Sequence, residues 1–159
     1  MSEWTTKLNK LPLKDFSELF TSSSIPDNSK IVGTYRATFV GPDWLRAAAG
    51  PALTISGLGG WWGKQFKDDG TATNLVQHGG NLETRFSMRL VNRTSALDGK
   101  PALALIYGAE NPFPWPHIVD EVRPLDNVSF LGMTHVNVGA LRKLPFPFLL
   151  EFQEQVDGL

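Results

Sequence analysis

The chain has 159 residues, 15 basic and 16 acidic, a formal net charge of −1 and no cysteine. That length fits one domain around one sizeable core and is short for a two-domain dehydrogenase or a (β/α)8 barrel. Near-neutral charge with no run of three basic residues argues against nucleic acid, and the lack of cysteine excludes disulfides, thiol nucleophiles and iron–sulfur clusters. Only 19% of residues are charged, below the roughly 25% usual for soluble domains, so much of the chain must pack or line something.

Residues 1–7 lack the basic start and apolar stretch of a secretory signal. The longest uncharged stretch, residues 47–63, holds Pro51 and five glycines, so no membrane-spanning helix is expected. The chain reads as cytoplasmic. Pro12 opens a helix carrying Leu13, Phe16, Leu19 and Phe20 on one face, which Ser22 to Ser24 and Pro26 stop. A β-branched and aromatic strand follows at 31–40. A second helix over 43–49 breaks at Gly50-Pro51, and a short helical turn towards Ser56 ends in the glycine cluster 57–60. The rest reads as strands at 61–67, 71–77, 82–93, 101–109, 117–123, 128–138 and 146–155, separated by turns about ten residues apart. Three prolines keep residues 111–116 out of a sheet centre. The expected architecture is mainly β: a small antiparallel, lipocalin-like barrel over 26–157, preceded by a helical arm over 1–25, as a single domain.

Gly33-Thr34-Tyr35-Arg36-Ala37, Gly59 to Phe66, the arginine-bearing strand at Arg85 to Leu90, Tyr107, and His117 to Arg123 followed by Phe130-Leu131-Gly132-Met133 occur in that order. This arrangement resembles the GXWXG domain followed by its usual companion domain of unknown function, over roughly residues 19–152. Tyr35 stands where the naming motif has Trp, and Ala37 where it has its second Gly. The resemblance implies a small lipocalin-like barrel and no particular activity.

The chemistry-bearing segment is His117-Ile118-Val119-Asp120-Glu121-Val122-Arg123. In a regular strand His117, Val119, Glu121 and Arg123 share one face and Asp120 points the other way. One reading is a salt-bridged exterior. The other places His117 and a carboxylate on a cavity wall, where desolvation raises a carboxyl pKa, His117 relays a proton, and Arg123 orients a neighbour. Adjacent Trp61 and Trp62 face opposite sides of their strand, and Lys64, two residues after Trp62, falls on the Trp62 face as a contact or a solvated group. Tyr35, Phe66, Tyr107, Trp115, Phe130 and Phe148 complete an aromatic set that is either core or ligand wall, with Phe113-Pro114-Trp115-Pro116 as a rigid lid or plug. Glu83, Arg85, Ser87 and Arg89 share a face read as exterior, because the opposite face is largely apolar. The three histidines show no metal spacing, and neither a metal nor a cofactor is expected.

The resulting expectation is a cofactor-independent cyclase or isomerase working by general acid–base catalysis on a small hydrophobic, oxygenated molecule inside the barrel. His117, Asp120, Glu121 and Arg123 are its candidate catalytic residues, and Tyr35, Trp61, Trp62, Lys64, Phe66, Tyr107, Trp115 and Phe130 its candidate contacts. The alternatives are a non-catalytic carrier using the same cavity and an interaction module with a filled barrel. A homodimer is left open.

Overall fold

A computed structural model describes residues 1–25 and 29–156; the expected helix stop at Pro26 and the barrel limits at 26 and 157 lie outside them. Eight strands form a closed antiparallel barrel in which each pairs with its sequence neighbours and the last with the first. They are β1 (Gly33–Phe39), β2 (Trp61–Phe66), β3 (Thr71–His78), β4 (Asn81–Thr94), β5 (Pro101–Tyr107), β6 (Ile118–Pro124), β7 (Ser129–Val136) and β8 (Phe146–Gln153). This is the expected small lipocalin-like, up-and-down architecture, whose closure leaves no sheet edge unpaired.

Among the described residues three α-helices lie against the barrel: α1 (Glu3–Leu8), α2 (Leu13–Ser22) and α3 (Asp43–Ile55). The expected break at Gly50-Pro51 does not occur, and α3 runs through Pro51 as one helix. Gly50 has no Cβ to meet the proline ring, which removes part of the clash that usually ends a helix before proline.

Because the sheet is closed and its outer wall is partly covered, it has two cores. Inside, Tyr35, Ala37, Phe66, Leu103, Leu105, Val122 and Leu150 pack together. Outside, Leu8, Phe16 and Phe20 from α1 and α2 pack on Ala102, Leu131, Met133 and Leu149. Burying each phenylalanine of α2 contributes about 1.5–3 kcal/mol, so the arm is part of the folded unit. In the middle of β5, β7 and β8, at Ala102 to Leu105, Leu131 to Met133 and Pro147 to Leu150, side chains of both parities are therefore buried, with no polar face to mark the outside.

One barrel end is filled. Tyr35 meets Phe66, Phe130 and Phe152 edge-on, with ring centroids 5.5–5.7 Å apart. The other end opens beneath α3, which joins β1 to β2 there.

Two bulges set what faces inward. On β2 the pairing with β3 slips between Trp61 and Gly63, leaving Trp62 as the extra residue. Gly63 sits so close to β1 that a Cβ would lie 2.0 Å from the Tyr35 carbonyl oxygen, so only glycine fits. On β4 the extra residue is Phe86, held at φ 57°, between the pairs Thr73–Ser87 and Asn74–Arg85.

Candidate functional site

Beneath α3 lies a cavity of about 390 Å3, within the usual range for small-molecule sites. Ala49, Ala52 and Leu53 of α3 roof it, Trp61, Trp115 and Phe148 form aromatic walls, and Leu141 stands at the mouth. Gly132 makes room for one wall: a Cβ there would lie 2.2 Å from the Phe148 ring. Trp115 Nε1 donates to the Ser56 carbonyl at 2.7 Å, tying the proline-rich segment to the end of α3.

Apart from Arg46 and Ser56 on the α3 side, the apolar wall is interrupted at one place, by Lys64, Asn74, Tyr107, Asp120 and Thr134. The Lys64 ammonium, 1% exposed, lies 3.0 Å from Asp120 Oδ2 and donates to Asn74 Oδ1 at 2.8 Å and Tyr107 Oη at 3.3 Å. Thr134 Oγ1 donates to Asp120 Oδ1 at 2.7 Å, and Trp61 Nε1 donates to Asn74 Oδ1 at 3.1 Å. Asn74 Nδ2 donates to Tyr107 Oη at 2.9 Å and, more weakly, to the Phe86 carbonyl at 3.4 Å. Strand pairing brings the group together: Lys64 is opposite Asn74, Asp120 opposite Thr134, and Met88 opposite Tyr107.

Electrostatics follow from burial. Desolvation pulls the Lys64 pKa down, but Tyr107 and Asp120 together more than offset it, leaving the ammonium above its usual value. Desolvation raises the Tyr107 pKa, although Lys64 opposes it, so the phenol keeps its proton at neutral pH. The arrangement holds a neutral phenol beside a paired ammonium in a water-poor chamber. Such a pair stabilises negative charge that develops on an oxygen next to it.

Of the expected catalytic set, Asp120 alone reaches this chamber. His117 belongs to a 3-10 turn, Trp115–His117, rather than to β6, and is exposed beside Phe113. The prolines that precede it delay the strand by one residue. Glu121 and Arg123 are buried on the opposite, outward face of β6. Glu121 Oε1 lies 3.0 Å from His135 Nε2 and accepts from the Ala96 amide at 3.0 Å. Burial alone would raise its carboxyl pKa, but the His135, Ser95 and Ala96 contacts outweigh this and hold it low, the reverse of a proton-holding acid. Arg123 pairs with Asp98, Nη2 to Oδ1 at 2.8 Å, and donates to the Phe20 carbonyl at 2.8 Å. Both residues anchor the covering segments and touch no ligand space.

Of the expected contacts, Trp61, Lys64, Tyr107 and Trp115 line the chamber. Tyr35, Phe66 and Phe130 do not, because they belong to the aromatic plug at the filled end. Trp62 lies outside against Arg36, whose guanidinium is 5.1 Å from its ring centre. Lys64 shares a face with Trp61, not with Trp62, because the bulge inserts a residue between them. The β4 bulge does the same to the face read as exterior: Ser87 and Arg89 remain outside, while Arg85 falls opposite Asn74 and donates to the Gly57 carbonyl at 3.1 Å.

Asn74 and Thr134 were not foreseen, whereas Phe148 of the aromatic set does line the chamber. The signal available for Asn74 was a polar residue alternating with Ala72 and Val76 on a buried strand. Among the described residues no group of three or more His, Asp or Glu is placed to hold a metal ion, and no helix is long and apolar enough to cross a membrane.

No family model matches the chain, and no curated protein matches it. A solved crystal structure of a protein from Thermomonospora curvata is similar: 21% identical, covering 94% of this chain and 93% of that one, with a TM-score of 0.70. At that identity the likeness shows a shared barrel fold and nothing further.

Proposed function

We propose that the barrel is a cofactor-independent enzyme that takes a small apolar, oxygen-bearing molecule into the chamber and moves protons on it, in an isomerisation or a cyclisation. The observation that carries this reading is the clustering of the chamber's polar groups: a buried ion pair, a phenol, an amide and a hydroxyl meet at one spot on a hydrocarbon wall. A buried ion pair carries a desolvation cost of several kcal/mol per ion, and packing alone is served as well by apolar side chains.

In this reading Asp120 accepts a proton from a carbon beside the ligand's oxygenated carbon and returns it at another position. Lys64 and Tyr107 hold the charge that appears on the oxygen between the two transfers, so protons and electrons balance with no redox partner. Asn74 and Thr134 orient these groups. The resemblance to GXWXG-domain proteins belongs to the same proposal: its segments at 33–37 and 59–66 fall largely on β1 and β2, which pair directly and carry Lys64 inward.

The test is solvent deuterium incorporation. Naphthalene-sized ketones, phenols and lactones incubated with the protein in D2O are followed by proton NMR. Incorporation at carbon with the native chain, reduced at least a hundredfold by Asp120→Asn, supports the enzyme reading. Saturable binding with no incorporation from any compound supports the carrier, whose motivating feature is the otherwise apolar wall.

A further inference from the structure

The hydrogen bonds around Asn74 constrain the chemistry of whatever enters the chamber. Asn74 Oδ1 receives two unambiguous donors, the Lys64 ammonium at 2.8 Å and the Trp61 indole N–H at 3.1 Å. Neither can act as an acceptor, so the side chain has one tolerable orientation and its amino group must face Tyr107. Tyr107 Oη therefore receives two hydrogen bonds, from Asn74 Nδ2 at 2.9 Å and Lys64 Nζ at 3.3 Å. A phenol oxygen accepts about two such bonds and donates one. Among the described residues nothing accepts the one it donates, and Tyr107 borders the cavity. A buried donor left without an acceptor costs about 1–3 kcal/mol.

We infer that the chamber selects neutral carbonyl compounds, ketones or enones on an apolar frame, whose oxygen accepts the hydrogen bond that Tyr107 cannot place within the protein. The inference rests on the proposed function and narrows its substrate class. Charge separates a carbonyl from a carboxylate. Asp120 already neutralises Lys64 at 3.0 Å, and the other cation on the lining, Arg46, is paired with Asp43, so an anionic ligand would bring an uncompensated negative charge into the site. An alcohol could accept the same bond but would add a donor of its own. Thr134 Oγ1 donates to Asp120 and keeps lone pairs that can accept an alcohol's proton, so hydrogen bonding separates the carbonyl from a hydrocarbon and charge separates it from a carboxylate.

Three isosteric probes separate these cases: 2-acetonaphthone, 2-isopropenylnaphthalene and 2-naphthoate, titrated calorimetrically into the full chain. The ketone is expected to bind on the order of tenfold tighter than the hydrocarbon, and tighter than the carboxylate. In Tyr107→Phe that margin over the hydrocarbon disappears while hydrocarbon binding remains. Infrared spectra of carbonyl-labelled 2-acetonaphthone on the native chain give a check independent of any variant. The carbonyl band should fall below its position in hydrocarbon solvent. Equal binding of ketone and hydrocarbon with an unshifted band overturns the inference and leaves the chamber reading intact. Tighter binding of the naphthoate also overturns it. Failure of all three to bind overturns both.

Discussion

The two sides of β6 carry two buried ionic clusters that differ in what covers them. Inward, Asp120 meets Lys64 beside a 390 Å3 cavity. Outward, Glu121 meets His135 and Arg123 meets Asp98, sealed under α2 and the β4–β5 connection. Every donor nitrogen of Arg123 has a carbonyl or carboxylate partner, and its guanidinium lies 4.3 Å from the Phe20 ring centre. The inner cluster borders the cavity, and by the inference above the Tyr107 hydroxyl is its one donor left for a ligand. Arg123 is saturated and holds the fold, and the outer cluster's unpartnered atom, Glu121 Oε2, is buried away from the cavity, whereas the inner cluster faces space that a ligand can fill.

The largest effect on stability should come from the outer cluster. Arg123→Met strands Asp98 and the Phe20 carbonyl and should cost about 3–5 kcal/mol by urea denaturation, with ketone affinity per folded molecule unchanged. Asp120→Asn should lose a similar amount of stability, because Lys64 stays buried without its carboxylate, and should also lose deuterium incorporation. The double variant Lys64→Met/Asp120→Leu recovers stability relative to the single change yet stays inactive, which separates fold from function.

Acid titration distinguishes the clusters in a milder way. The Arg123 hydrogen bond holds the Asp98 carboxyl far below its ordinary value of 3.8, so the folded state favours the ionised form. That contribution is present above the unfolded value and is lost as pH falls towards the much lower folded value. Stability should therefore decline below about pH 4, and Arg123→Met should flatten that part of the profile. The smallest effect is assigned to His117→Ala. As an exposed side chain outside both clusters, it should change stability by less than about 0.5 kcal/mol and leave incorporation untouched.

Much of the barrel was legible as alternating apolar residues punctuated by turns, and the parity of Asp120 against Glu121 and Arg123 follows from strand geometry alone. Which parity faced inward was not legible, because α1 and α2 bury the outer wall and erase the polar signature of an exterior. The Lys64 assignment failed for a local reason. Trp61 and Trp62 alternate correctly, but Trp62 is a bulge residue, and everything after it changes face. Gly63 was the available warning, since a glycine inside a strand marks bulges and close backbone approach. The Tyr35, Phe66 and Phe130 set was correctly aromatic and inward, yet at the closed end. Composition does not tell a plug from a ligand wall.

The central claim, that Tyr107 presents its hydroxyl proton to a ligand in the chamber, is tested most directly by a crystal structure of the chain with 2-acetonaphthone. The account predicts the ketone oxygen within about 3 Å of Tyr107 Oη, with the naphthyl ring between Trp61 and Trp115 and the Lys64–Asp120 pair intact. A ketone bound with its oxygen turned towards α3, or a Tyr107 hydroxyl bonded to Asp120 instead, would contradict it.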